Sequence, residues 1–382
     1  MKKILLCTTA LLAASSVFAA EGVNVTFEGQ SKFEAATVSQ DKTHQKYITA
    51  SQKRSAFFTS QKASLKAEGK SDSLTYGAVM RLQVIGNGTD GMSDARNSRS
   101  HIYMDTDAGS VHLGSNFGAS KLMQVDAGKI ASGTGGIDGD FSKFVNTKLA
   151  NVFSDVNTLA NQMDANGESA RKITYMSPRI SGVQLGVSFA PDMNNVGDQT
   201  ALDNVATVNG EPNKYVKNLW SAGLSFKHDM NGVVLDLAAV ADKGNATVQN
   251  KINGVTTELN DLQTFSVGGT VATNGFSFAA SYHNNGKSLQ AKTTGSKYKS
   301  YFWTLGAAYE NGPMSTSLTY LQGEQGGDKA RTKTQIVSLG ADYEVAAGLK
   351  PFAEVTMVTN KFDDKSAKAK ATVFLLGTKV KF

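Results

Sequence analysis

The side chains that most often carry catalysis or hold metals are sparse here and poorly spaced for either. The five histidines, His44, His101, His112, His228 and His283, are scattered, with no His-Glu-x-x-His run and no spacing typical of a metal centre. The one cysteine, Cys7, lies near the start of the chain. Gly86-Asn87-Gly88-Thr89-Asp90-Gly91 matches the glycine fingerprint of a dinucleotide site letter for letter. The residues after it, Ser93-Asp94-Ala95-Arg96-Asn97-Ser98-Arg99-Ser100, are not the apolar start of the helix such a site requires, so the run is expected to be a surface loop. No cofactor, no metal and no enzymatic reaction are expected, since no Ser/His/Asp-type site can be assembled from the pattern.

Charge placement is the chemistry that remains. Lys32, Lys62, Arg81, Arg99 and Lys172 each fall on the face opposite the apolar residues of an alternating stretch. Val23, Val25, Phe27 and Phe33 alternate with Asn24, Thr26, Glu28, Gln30, Lys32 and Glu34. Phe57, Ala63, Leu65 and Ala67 oppose Ser60, Lys62, Ser64 and Lys66, and Leu74, Tyr76, Ala78, Met80 and Leu82 oppose Thr75, Gly77, Arg81 and Gln83. This two-residue period is that of a half-buried strand. A Lys or Arg facing lipid at the bilayer midplane costs ~2–4 kcal/mol, so the placement fits strands with lipid on one side and a lumen on the other. The five bases are then expected to line one side of that lumen.

The two ends agree with this. Met1-Lys2-Lys3, the short apolar run Ile4 to Val17 and Val17-Phe18-Ala19 form an export leader over residues 1–19, too short for a membrane helix. Cys7 lies inside it and follows Leu6, which argues against a lipid anchor; the mature chain is expected to have no thiol. At the other end Phe382, Val380, Thr378, Leu376 and Phe374 share one face, while Lys381, Lys379, Gly377 and Leu375 share the other. A strand that ends on an aromatic residue needs a partner, and in a closed sheet that partner is the first strand.

Between the ends, hairpins with short turns alternate with long polar loops. Trp220, Ala222, Leu224 and Phe226 lead through Asp229 to Gly232 into Val233, Leu235, Leu237 and Ala239, and Asn274-Gly275 and Asn311-Gly312 mark two further turns. The total is about sixteen strands, an even number as a single-chain bacterial barrel requires. The mean hydropathy of −0.25 suits such a barrel, whose lipid-facing and lumen-facing residues alternate. The formal charge of +6, to which Lys2 and Lys3 contribute, is too small and dispersed to suggest nucleic acid. The longest interruption, residues 115–169, contains a glycine-rich bend from Gly133 to Gly139. Asp140 then stands as a possible helix cap before Phe141, Phe144, Val145, Leu149, Val152, Phe153, Val156 and Leu159 at helical spacing. The expected fold is an all-β transmembrane antiparallel barrel over residues 20–382, with this loop folded inward and containing a short helix.

Tyr175, Ser177, Pro178, Gly182, Leu185, Gly186, Ser188, Phe189 and Pro191 resemble the hairpin that follows the third loop of Gram-negative general porins, and Phe382 is similar to the closing residue of that family. The resemblance implies a sixteen-stranded homotrimer in the outer membrane, among lipid and lipopolysaccharide, that lets small hydrophilic solutes and ions diffuse passively. It also implies that loop acids face the basic wall across a constriction; Asp126, Asp138, Asp140 and Asp155 are the candidates, with Asp138 and Asp140 favoured by the glycines around them. The loop lacks the Pro-Glu-Phe-Gly-Gly stretch typical of enterobacterial porins. A substrate-specific channel on the same barrel and a surface adhesin-like barrel are the alternatives.

Overall fold

The computed structural model of the chain describes residues 22–41, 54–85, 94–145, 170–193, 214–248, 258–292, 298–326, 331–363 and 368–382. The expected leader, the fingerprint-like run 86–91, His44 and Asp155 lie outside the described residues. Sixteen strands follow in order: β1 (Val23–Gln40), β2 (Ser55–Ser71), β3 (Leu74–Ile85), β4 (Asp94–Thr106), β5 (Gly109–Ser115), β6 (Arg171–Met176), β7 (Val183–Asp192) and β8 (Lys214–Met230) make the first half. The second half is β9 (Val233–Val248), β10 (Leu262–Thr273), β11 (Phe276–Gly286), β12 (Ser300–Asn311), β13 (Met314–Gly326), β14 (Arg331–Tyr343), β15 (Leu349–Phe362) and β16 (Lys368–Lys381). Each pairs antiparallel with its sequence neighbours, and β1 pairs with β16 to close the barrel.

The closure runs to the last residue. Phe382 N–H donates to the Gly29 carbonyl at 3.0 Å, Gly29 N–H donates back to the Phe382 carbonyl at 2.6 Å, and the Phe27 and Phe382 rings lie 6.2 Å apart. Alternation separates the two faces. Phe33, Leu65, Met80, Ile102, Leu185, Trp220, Phe278, Leu305, Leu339 and Phe374 are exposed on the outside, whereas Ser60, Thr174, Ser188, Ser221, Thr304, Ser317, Thr319, Thr334 and Thr356 are buried on the inside. An apolar outside and a polar inside are what lipid and water on opposite sides demand.

Tight turns occupy one end. Asn231-Gly232 and Asn274-Gly275 both have positive φ at each central residue, the geometry that matches the twist of two paired strands. At the opposite end the strands outrun the sequence pattern: β4 begins at Asp94, β9 reaches Val248 and β13 reaches Gly326. Alternation is imposed by lipid, while the hydrogen-bond ladder continues beyond it, so the apolar signal stops before the strand does.

Candidate functional site

The segment after β5 turns into the barrel and follows its inner wall. Among its described residues it forms one short helix, α1 (Ala119–Met123), and 3-10 turns at Ala127–Ile130, Gly136–Asp138 and Asp140–Lys143. The expected helix starting at Phe141 is, over its described part, the last of these turns, with Gly139 rather than Asp140 at the cap position. Residues 146–169 lie outside the described residues.

A backbone inside a barrel must find partners for its amides, because an unpaired buried N–H costs as much as a lost hydrogen bond. Here hydroxyls of the wall accept them. Ala119 N–H donates to Ser188 Oγ on β7 at 3.0 Å, Ala127 N–H to Thr304 Oγ1 on β12 at 3.1 Å, Ser132 N–H to Ser317 Oγ on β13 at 2.7 Å and Ile137 N–H to Thr319 Oγ1 at 3.2 Å. Thr134 gives its N–H and its hydroxyl to the buried Glu354 carboxylate on β15 at 2.8 and 3.0 Å. Ser120 Oγ donates to Asp242 on β9 at 2.7 Å, and Lys379 on β16 donates to the Gly133 carbonyl. The loop thus runs round the wall from β7 to the barrel closure.

Close approach needs small residues beneath. A Cβ on Gly186 or Gly223 would press on Met123 Sδ at 2.7 or 2.6 Å, one on Gly340 would meet the Ser132 carbonyl at 2.7 Å, and one on Gly268 would collide with the Val125 carbonyl. Apolar contact completes the docking, with Ile137, Phe141 and Val145 joining Ala36, Val38, Ile336, Val358, Ala371 and Val373 in one buried cluster.

Among the acids expected at a constriction, Asp140 sits between two bases, Lys32 of β1 and Lys143 at 2.6 Å, and Lys32 also reaches Glu34 at 2.7 Å. Lys143 lies over the Phe58 ring of β2 at 4.1 Å, so this cluster ties the end of the described loop to the closure. Asp138 is exposed, and Asp126 accepts from Gly128 N–H and from Gln124 Nε2, each at 2.8 Å. Both carboxylates reach towards Gly128, Asp126 Oδ1 lying 3.0 Å and Asp138 Oδ2 3.5 Å from where its Cβ would stand.

The bases expected on the wall divide as well. Lys62 and Arg81 project inward and keep partial solvent access. Arg99 stacks its guanidinium 4.2 Å from the Phe117 ring. Lys172 is buried and donates to the Ala170 carbonyl at 2.5 Å and to the Asn116 carbonyl, at the root of the loop. Sequence reasoning missed Lys379, Lys350 and Glu354 as contributors, although Lys379 already stood on the polar parity of the last strand. The wall hydroxyls carried no signal beyond being polar.

One group resembles a hydrolytic triad in composition. Ser110 Oγ lies 2.9 Å from His112 Nε2 and donates to Asp105, while Asn116 Nδ2 lies 2.9 Å from His112 Nδ1. The amide oxygen of Asn116 is taken by Phe117 N–H at 2.8 Å, so its NH2 donates to Nδ1 and the ring proton sits on Nε2. The serine proton therefore points to the aspartate, and this histidine is in the wrong tautomer to act as its base. Among the described residues no three His, Cys, Asp or Glu side chains are grouped to hold a metal ion.

A closed sixteen-stranded barrel with a polar interior and a loop docked inside it defines a porin. The sequence profile of the Gram-negative porin family matches residues 7–363, and the chain belongs to that family, the pore-forming barrels of the outer membrane. An uncharacterized protein of Rickettsia prowazekii (strain Madrid E) is 27% identical over 450 residues, covering all of both chains. The anion-selective porin from Comamonas acidovorans superposes with a TM-score of 0.60 at 14% identity, over 94% of this chain and all of that one. The trimer form of OmpT, an outer membrane protein of Vibrio cholerae, gives 0.59 at 13%, over 95% and 100%. At such identities the structural likeness is one of fold.

Proposed function

We propose that the chain, exported behind a leader cut after Ala19, forms a homotrimeric, water-filled channel through which small hydrophilic solutes and ions diffuse passively. It sits among outer-membrane lipid and lipopolysaccharide. One observation carries the reading: Lys62, Ser64, Arg81 and Gln83 aim at the barrel axis and yet keep solvent access. Inward side chains of a filled barrel would be buried. Asp126 and Lys129 border the turn that docks on β12, halfway round the barrel from β4, which leaves the passage between the loop and the β2–β4 wall. In this reading Asp126 and Asp138 supply the acidic side of the constriction, and Lys62, Arg81 and Arg99 the basic side.

Purified protein whose folded state is verified by heat-modifiable migration should give stepwise conductance in planar bilayers, in groups of three. It should also swell liposomes faster with a monosaccharide than with a tetrasaccharide. Folded protein that yields no steps would be a closed barrel, as an adhesin-like role requires.

A further inference from the structure

We infer that His112 of β5 is a proton-operated latch for the inward loop: the neutral ring fixes the root of the loop, and the charged ring releases it, so that the channel closes in acid. This device rests on the channel proposed above and regulates it. Four hydrogen bonds in series define the latch. Phe117 N–H donates to Asn116 Oδ1 at 2.8 Å, Asn116 Nδ2 donates to His112 Nδ1 at 2.9 Å, His112 Nε2 donates to Ser110 Oγ at 2.9 Å, and Ser110 donates to Asp105 on β4. Each link fixes the direction of the next. Because a backbone amide occupies the Asn116 oxygen, its NH2 faces the ring, and Nδ1 serves as a bare acceptor.

Imidazole is the side chain whose charge changes between about pH 8 and about pH 5, and its charged form carries a proton on both nitrogens. The second proton would sit on Nδ1 and point at the Asn116 NH2. Two donors then face each other. Turning the amide over restores that contact but sets the NH2 against Phe117 N–H, so one of the two bonds is lost in either arrangement. Asn116 is buried, which keeps water from replacing the lost partner. The acids around the ring are engaged elsewhere: Asp105 lies on the Nε2 side behind Ser110, and Glu68 of β2 accepts from the Tyr103 hydroxyl at 2.7 Å and pairs with Lys66 at 2.6 Å. The remaining ionisable neighbours offer Nδ1–H no acceptor. Lys172 of β6 donates to the Asn116 carbonyl, Arg99 shares the inward face of β4 with His101, and His101 stacks on His112 with centroids 5.2 Å and planes 13° apart. The latch sits where the loop leaves the wall. Phe117 lies 4.2 Å from the Arg99 guanidinium, and the next anchor is Ala119 N–H on Ser188. Gly114, at φ +126°, and Gly118 bracket the segment and let it turn. A root freed at Asn116 and Phe117 therefore moves at the edge of the passage between the loop and the β2–β4 wall.

The test uses the purified trimer in planar bilayers with the same KCl solution on both sides, at about pH 7.5 and then at about pH 4.5. The wild type should conduct steadily at the higher pH and close several-fold more often at the lower, reversibly. His112→Asn puts an amide oxygen where Nδ1 stands and does not titrate, so it should conduct steadily at both. Asn116→Asp supplies oxygens for both Phe117 N–H and a charged ring, so it too should stay open in acid. His101→Gln keeps the latch and should close as the wild type does. A wild type equally steady at both pH values, or acid closures that persist in His112→Asn or Asn116→Asp, would overturn the inference while leaving a working channel; persistence would move the response to other groups that hold the loop, such as the Asp242 and Glu354 carboxylates. Absence of conductance at both pH values sinks the channel reading itself. Heat-modifiable migration at both pH values confirms that each protein is folded.

Discussion

At the scale of single residues, Asp138 and Asp140 are two positions apart and do different work. Asp140, largely shielded from solvent, is gripped by the shielded Lys32 and the more exposed Lys143, whereas Asp138 is exposed. Removing one member of a buried ion pair leaves the other charges uncompensated, at about 3 kcal/mol or more. Asp140→Asn should therefore loosen the loop, with larger and noisier single-channel currents and a lower temperature of heat modification. Asp138→Asn should leave that temperature unchanged and move only the reversal potential, towards anions, because a charge acts over ~8 Å at physiological ionic strength. Identical behaviour of the two variants in both measurements would refute this division of roles.

The inward loop is the element on which the passage depends, and its docking is a matter of fit as much as of hydrogen bonds. Gly268 and Gly269 are neighbours on β10 that face opposite ways. A methyl group on Gly268 would strike the Val125 carbonyl of the loop backbone, while one on Gly269 would press on Leu237 Cδ2 at 2.5 Å, the end of a flexible side chain, and reach the Asp236 carbonyl at 3.3 Å, with no loop atom near. Gly268→Ala should push the loop off the wall and lower the unit conductance, and Gly269→Ala should leave it as in the wild type. Equal conductance in both would mean that the loop does not rest on β10. The same logic applies to Ser317, whose hydroxyl satisfies Ser132 N–H.

At the scale of the molecule, closure depends on the last residue. Phe382 makes both hydrogen bonds to Gly29 and its ring covers the space above that glycine, where a Cβ would collide with it. Deleting Phe382 removes two rungs of the β1–β16 ladder and the contact with Phe27. The fraction of heat-modifiable barrel recovered from outer membranes should fall several-fold, since a sheet that fails to close leaves a free edge. Recovery at the wild-type level would show that closure is secured by the remaining rungs alone.

Strand number, facing and closure were legible in the residues themselves because each is a local property. The two-residue period shows in any ten residues, so the inward placing of Lys32, Lys62 and Arg81 and the pairing of the last strand with the first could be read directly. The inward course of the described loop, residues 115–145, was legible from the apolar stripe that begins at Phe141, which must rest on a wall, and from the resemblance of the hairpin that follows. What each loop residue meets was not legible at all. Asp140 looked like a helix cap, and a cap differs from a latch only in what stands opposite, here Lys32 more than a hundred positions earlier in the chain. Ser188, Thr304 and Ser317 are ordinary inward hydroxyls until a loop amide lies against each. Contacts across such separations are set when the barrel closes and brings its inner face around the loop, and no window of sequence contains both partners.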